Sequence, residues 1–265
     1  MKAFQFSAGT LPLLISIPHA GTALTPEVKA GLSDAARGLP DTDWHLAQLY
    51  DFVQPLGASV LTGNYSRFVI DLNRPADDRP LYATATTGLY PETLFDGTPI
   101  FKPGMTPTAD QRRDYLATLW QPYHDKLQQE LARLKQQHGY ALLFDAHSIA
   151  SVIPRLFDGR LPDLNLGTNN GNSSTPAIDA ALIHCFSAQS RFSWVDNGRF
   201  KGGYITRAYG KPEQQQFAVQ LELAQCNYMD EQPPFAWRGE RAAALQPLLQ
   251  QLIMTLLEQG AIAAD

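Results

Sequence analysis

The chain has 265 residues, 44% of them hydrophobic and 18% charged, so it can bury a full core and is not disordered overall. Its formal net charge of -5 argues against general nucleic-acid binding, which needs a basic face to displace counterions from phosphates. Two cysteines are too few for a disulfide framework and too far apart for a CxxC motif. No stretch approaches the ~18 apolar residues of a membrane helix, and the amino terminus lacks a signal-peptide core, so we expect a soluble cytoplasmic protein without a membrane partner.

The first half of the chain predicts short elements followed by a long loop. An apolar run over 12–18 is typical of a buried strand, and apolar residues at helical spacing predict a helix over 41–53. Short strands are expected at 58–62 and 67–72. Residues 73–107 are rich in Pro, Gly, Thr and Asp and lack periodicity. Because irregular segments of this length are uncommon in compact domains, we interpret this one as a functional loop.

The second half alternates between predicted helices and strands. Thr108 and Gln111 form a capping-box pattern at the start of the longest predicted helix, 108–137, which Pro122 is expected to disturb. The remaining predicted elements are a strand ending near Asp145, a helix from Thr175, strands at 192–196 and 217–224, and a terminal helix at 239–259. This alternation, without a repeat or a linker, predicts a single α/β domain over 1–265.

Two histidines directly follow apolar runs in distant parts of the chain, His19 near the start and His147 near the middle. In an open α/β sheet, ligands bind in the crevice beyond the carboxyl ends of the strands, so such histidines can converge there. The pattern therefore predicts a zinc hydrolase. The four other histidines fall in predicted helices and are interpreted as structural: His45, His124, His138 and His184.

A third metal ligand is needed, because catalytic zinc usually has three protein ligands and a carboxylate often joins two histidines. The HxxE arrangement would place a glutamate three residues after His19, where the chain has Thr22. Asp41 is well placed to cap the predicted helix, whereas Asp43 has less reason to be acidic for capping alone. We prefer Asp43 as the third ligand and keep Asp41 as the alternative.

Glu222 lies among apolar neighbours in the alternating pattern of the predicted strand 217–224. Burying a carboxylate is costly unless it is paired or used, so Glu222 is a candidate catalytic group. Other hydrolytic and nucleotide-binding classes lose support, because the chain has no GxSxG elbow, no GxxxxGK[ST] loop and no GxGxxG fingerprint.

Six blocks in order along the chain carry a resemblance: SIPHAG at 16–21, DTDW at 41–44, SRFVIDLNRP at 66–75, DAHS at 145–148, GGYITRAYGKP at 202–212 and QLELAQ at 220–225. Together they resemble the N-formylglutamate amidohydrolase family. That resemblance implies a fold similar to zinc carboxypeptidases and aspartoacylases, with a mixed central sheet between layers of helices. It also implies a metal-dependent amidase that releases formate from N-formyl-L-glutamate, at the end of one route of histidine degradation.

The resemblance also implies roles for individual residues. His19 and His147 become ligands of one zinc ion per chain, and Glu222 becomes the general base that takes a proton from the attacking water. Four further residues are expected to hold the two substrate carboxylates: Arg67, Asn73, Arg74 and Arg207. A guanidinium can bind a carboxylate through two parallel hydrogen bonds. Asp71, between two of these arginines, is an alternative partner for them.

Two other functions stay open at this stage. The chain can be a related zinc acyl-amino-acid hydrolase, such as a desuccinylase or an aspartoacylase-like enzyme, which the volume of the pocket would distinguish. It can also be a metal- or amino-acid-binding protein without turnover, although Glu222 argues against this, because a binding site has little use for a base. A carboxypeptidase is disfavoured by the missing HxxE arrangement. The oligomeric state is not predicted.

Overall fold

A mixed seven-stranded sheet forms the centre of the protein in a computed structural model that describes residues 2–81 and 87–264. Residues 82–86 of the predicted loop 73–107 lie outside this range. The strand order is β1-β3-β2-β4-β7-β5-β6. The strands are β1 (Phe4–Ser7), β2 (Leu13–Ile17), β3 (Ser59–Gly63), β4 (Ala141–Ile149), β5 (Leu164–Gly167), β6 (Trp194–Asp196) and β7 (Gln216–Ala224).

Four neighbouring strands, β3, β2, β4 and β7, run parallel, whereas β1 and β5 each pair antiparallel with the outer strands of this group. The carboxyl ends of the four parallel strands therefore lie at one edge of the sheet. The strands β2 and β4 are buried along their whole length, as expected for parallel strands with both faces covered.

Helices cover both faces of this sheet. They are α1 (Pro26–Gly31), α2 (Leu46–Leu49), α3 (Val53–Leu56), α4 (Ala109–Tyr115), α5 (Gln121–His138), α6 (Pro176–Ser187), α7 (Tyr204–Tyr209) and α8 (Gly239–Ala264). Successive residues of β4 alternate between the faces: Leu142 packs in the core with α6 and α8, and Leu143 packs in the core with α5. No helix of the described residues is long and apolar enough to cross a membrane.

Several sequence predictions are confirmed. The capping box of Thr108 and Gln111 begins α4, and Thr175 caps α6 by accepting a hydrogen bond from the Ile178 N–H. A π-helical turn, Leu116–Trp120, joins α4 to α5. The turn lies directly before Pro122, which has no backbone N–H to donate to the preceding turn of helix.

Other predictions are wrong. The segment 67–72 is a turn rather than a strand, with the Val69 N–H donating to the Ser66 carbonyl. Most of 41–53 is not helical, because His45 adopts a left-handed conformation with φ 61° and α2 begins only after it. The strands β1 and β5 were not predicted. In addition, β4 continues to Ile149, so His147 lies within the strand instead of following it.

Candidate active site

Three buried side chains from distant parts of the chain converge at the carboxyl edge of the sheet. His19 lies just beyond β2, His147 lies in β4, and Asp43 lies in the segment before α2. The Oδ2 atom of Asp43 is 3.9 Å from Nδ1 of His19 and 3.2 Å from Nδ1 of His147. The possible ligand atoms all lie within 4.8 Å of one another, so this cluster can hold a metal ion.

The hydrogen bonds around the cluster suit metal ligation. Nε2 of His19 lies 2.7 Å from Asp71 Oδ1, and Nε2 of His147 lies 3.0 Å from Asp145 Oδ2. A carboxylate that accepts from Nε2 leaves the lone pair of Nδ1 to bind a cation. Oδ1 of Asp43 is buried and has no hydrogen-bond partner among the described residues. Two imidazole nitrogens and one carboxylate are a usual protein ligand set for catalytic zinc.

Asp41, the alternative ligand, is not part of this cluster. Its Oδ2 accepts a hydrogen bond from the Phe95 N–H at 2.9 Å, so it holds a loop instead of capping a helix. Burial raises the pKa of Asp41 to about 7, against the opposing charge of Arg67. The structure therefore brings Asp43, and not Asp41, to the two histidines.

Asp71 links one histidine to the substrate-binding segment predicted from the sequence. Its Oδ2 pairs with Nη2 of Arg67 at 2.6 Å, while its Oδ1 contacts His19. Burial alone would raise the pKa of Asp71, but the charges of His19 and Arg67 outweigh it and hold the pKa well below its ordinary value. The Arg67 guanidinium lies 4.7 Å from the ring centre of Phe95, and its buried Nε has no hydrogen-bond partner among the described residues.

Asn73 and Arg74 also line the cavity, and both are held by protein groups. Asn73 Oδ1 accepts from the Ile205 N–H at 2.8 Å, and its Nδ2 donates to Asp145 Oδ2 at 3.3 Å. A Cβ atom on Gly203 would lie 2.3 Å from Asn73 Nδ2, so only glycine permits this approach. Nε of Arg74 donates to the Thr87 carbonyl at 2.7 Å. The orientation of both side chains is therefore set before any ligand binds.

Glu222 lies beside the cluster of His19, Asp43 and His147, because His147 and Glu222 are register partners in the neighbouring strands β4 and β7. Burial raises the pKa of Glu222 to about 8, and the His147 charge opposes this rise. Gln220, two residues earlier on the same face of β7, accepts from the Gly203 N–H through Oε1 at 2.7 Å. Both side chains line the same cavity as the histidines.

The two histidines differ in charge preference. Burial opposes the charged form of His147, but Asp145 and Asp43 outweigh it and raise its pKa well above the ordinary value. Burial, together with the nearby charge of Arg67, lowers the pKa of His19 despite its contact with Asp71. A cation at the two Nδ1 atoms would therefore displace the second proton of His147, whereas neutral His19 offers the lone pair of Nδ1 directly.

The cavity over the cluster has a volume of about 70 Å³. Arg199 and Phe200 line it, although sequence reasoning did not single them out; the available signal was an arginine three residues before the GGYITRAYGKP block. Arg207 is not among the described residues that line it. The Nε atom of Arg207 donates to the Gly202 carbonyl at 2.8 Å, and Nη1 lies 3.4 Å from the Leu81 carbonyl.

The histidines that we interpreted as structural lie outside this cavity lining. His124 is buried, with Nε2 2.8 Å from the Leu72 carbonyl and Nδ1 2.9 Å from the Tyr209 hydroxyl. His45 contacts the Phe235 carbonyl through Nε2 at 2.7 Å. These contacts are consistent with packing roles for both residues.

The sequence resembles that of known proteins along nearly the whole chain. The sequence profile of the N-formylglutamate amidohydrolase family matches residues 11–229. The N-formylglutamate deformylase of Pseudomonas aeruginosa is 60% identical over 259 residues, which cover 98% of this chain and 97% of that protein. The N-formylglutamate deformylase of Pseudomonas putida is 57% identical over 260 residues, with coverage of 98% and 97%.

The fold is shared with solved structures. An N-formylglutamate amidohydrolase from Ralstonia eutropha JMP134 superposes with a TM-score of 0.82 at 22% identity and covers 98% of each chain. A gene product from Agrobacterium tumefaciens superposes with a TM-score of 0.75 at 18% identity, over 97% of this chain and 96% of the other. At these identities the likeness concerns the mixed α/β fold.

Proposed function

The chain belongs to the N-formylglutamate amidohydrolase family, and from that premise we propose that it hydrolyses N-formyl-L-glutamate to L-glutamate and formate with the help of one zinc ion. The observation that carries the proposal is the buried cluster of His19, Asp43 and His147 beside the buried carboxyl of Glu222 in one cavity. Two close relatives named N-formylglutamate deformylase support the choice of substrate.

The three cluster residues are proposed as the metal ligands. Asp71 and Asp145 hold Nε2 of the two histidines, so that both Nδ1 atoms point to the same side as Asp43. Bound zinc supplies a Lewis acid for the formyl oxygen and lowers the pKa of a water towards ~7.

Glu222 is proposed as the general base. Its raised pKa of about 8 holds for the cluster without a cation, and positive charge beside it would lower that pKa into the working range of a base. Glu222 accepts one proton from the attacking water as the oxygen bonds to the formyl carbon. When the C–N bond breaks, the same proton passes to the amine of glutamate, and the other product leaves as formic acid, which ionises to formate.

The substrate carboxylates are proposed to bind at arginines. Arg67 has a buried Nε without a protein partner among the described residues, and Arg74 lines the cavity beside Asn73. A cavity of about 70 Å³ has room for roughly five to seven waters at ~10–15 Å³ each. A role for Arg207 stays a prediction, as do the likeness to zinc carboxypeptidases and aspartoacylases, the place in histidine degradation and the cytoplasmic location.

The proposal is tested by measuring amine release from N-formyl-, N-acetyl- and N-succinyl-glutamate, with and without a chelator. We expect the N-formyl compound to be cleaved fastest, the chelator to abolish cleavage, and added zinc to restore it. Absence of glutamate release from N-formylglutamate by the zinc-loaded protein would overturn the proposal. Equal rates with N-succinylglutamate would indicate the broader acyl-amino-acid hydrolase instead.

A further inference from the structure

A second group of donors lines the cavity and comes from a different part of the chain than Arg67. It consists of Gln220 in β7 and Arg199 in the connection between β6 and α7. Arg67 and Arg74 come from the segment after β3, whereas this second group comes from beyond β4 in the strand order. A ligand in the cavity therefore meets cationic or donor groups from two separate segments of the fold.

Gln220 has a defined orientation. Its Oε1 accepts the Gly203 N–H at 2.7 Å, so the amide presents its donor atom, Nε2, to a ligand. Gln220 and Glu222 lie on the same face of β7, about 7 Å apart along the strand at a rise of ~3.3 Å per residue. The side-chain carboxylate of glutamate is four bonds from the amide nitrogen, a span of comparable length.

Arg199 belongs to the same wall. Gly167 of β5 pairs with Gln220, and a Cβ atom on Gly167 would lie 3.0 Å from the Phe200 carbonyl oxygen, so the segment after Arg199 packs against the sheet at the level of Gln220. Nε of Arg199 donates to the Leu156 carbonyl at 2.9 Å, which fixes the guanidinium at the cavity.

We infer that Arg199 and Gln220 bind the side-chain carboxylate of the substrate and thereby select an acidic side chain. The inference rests on the proposed function. Arg67 shares Asp71 with His19 and so lies close to the metal cluster, where it suits the α-carboxylate, which is two bonds from the amide nitrogen. The more distant carboxylate then falls to the wall of Arg199 and Gln220.

The experiment compares kcat/KM for N-formylglutamate with that for N-formylglutamine, because their ratio cancels effects on the hydrolytic step that both substrates share. Arg199→Met should lower this ratio by about 10- to 150-fold, the loss expected for one charge-assisted hydrogen bond. Arg199→Lys should recover part of it. Arg191→Met, which changes an exposed arginine outside the cavity lining, is the matched control and should keep the ratio.

Gln220→Glu is a second, independent variant. It keeps an acceptor for the Gly203 N–H but faces the substrate carboxylate with a like charge, so the ratio should again fall at least 10-fold. If the unmodified protein cleaves N-formylglutamate and both variants keep its ratio, or if only Arg207→Met lowers the ratio, the assignment is overturned while the proposed function stands. If the unmodified protein does not cleave N-formylglutamate, both proposals fail together.

Discussion

The two histidines of the candidate metal site look alike in sequence but differ in the groups that hold them. We call each histidine, together with the aspartate at its Nε2, an arm of the site. Each histidine has Nε2 on a buried aspartate, Asp71 for His19 and Asp145 for His147. Asp71 also carries the Arg67 guanidinium, whereas Asp145 accepts from the neutral hydroxyl of Ser16 at 2.9 Å. Burial and the charge of Arg67 lower the pKa of His19, whereas Asp145 and Asp43 outweigh burial and raise the pKa of His147. The first arm is therefore coupled to an arginine that is proposed to bind substrate, and the second to Ser16 and to Asn73, whose Nδ2 donates to Asp145 Oδ2 at 3.3 Å.

Removing either histidine should have the largest effect on metal binding and turnover, and the effect should be the same for both histidines. We expect His19→Ala and His147→Ala to lose tight metal binding and all measurable turnover, since each variant leaves only two of the three proposed ligands. Metal content by elemental analysis and amine release check this. His184→Ala, which changes an exposed histidine in α6, serves as the control. Full metal occupancy in His147→Ala would refute the ligand assignment.

Replacing the proposed base should separate chemistry from metal binding. Glu222→Gln keeps the size of the side chain but cannot accept the proton of water, so turnover should fall by about 10²- to 10⁴-fold. Metal content should stay at the level of the unmodified protein, because Glu222 is not in the ligand cluster. A near-normal kcat in this variant would leave Glu222 as a structural carboxylate only.

The aspartates behind the histidines should reveal the difference between the arms. Asp71→Asn and Asp145→Asn should each weaken metal affinity by about 10- to 100-fold, the usual cost of losing a carboxylate behind a ligating histidine. Asp71→Asn should raise KM for N-formylglutamate more than Asp145→Asn, because Arg67 loses its ion-pair partner whereas Asn73 keeps its hydrogen bond from the Ile205 N–H. Metal titration and steady-state kinetics on both variants provide the test. An equal rise of KM in both would show that the arms are equivalent.

The smallest effect concerns the stability of the metal-free protein. Burial raises the pKa of Glu222 from 4.5 to about 8, so between these values the folded state holds a proton that the unfolded state has lost. Stability conferred by this group is therefore full below pH ~4.5 and falls as the pH rises to about 8. Thermal unfolding of the chelated protein should show a decline across this range that is smaller in Glu222→Gln, where the raised pKa of Asp41 still contributes. Parallel curves for the two proteins would contradict it.

Local patterns predicted a large part of the fold. The apolar runs of β2, β4 and β7 are fully or almost fully buried strands, and the capping box of Thr108 begins a helix where predicted. These signals depend on residues a few positions apart. The errors lie where distant contacts override local preference: the segment 67–72 has the sequence pattern of a strand, yet it forms a turn in which Asp71 contacts both Arg67 and His19.

The candidate site was predictable only in part. His19, His147 and Glu222 could be picked out because each is a titratable side chain beside an apolar strand pattern, where it must be paired or used. The bridge from Asp71 to His19 spans 52 positions, and the bond from Ile205 to Asn73 spans 132. No sequence pattern carries information on contacts at such separations.

What the sequence determined by itself was the buried strands β2, β4 and β7, the titratable side chains in or just beyond them and, through its six blocks, the family. The tertiary structure alone decided that Asp43 and not Asp41 faces the histidines, and that Arg199 and Gln220 line the cavity while Arg207 donates to backbone carbonyls. The physical reason is that a strand or a capped helix depends on neighbours along the chain, whereas a binding site depends on which segments the packed sheet brings together.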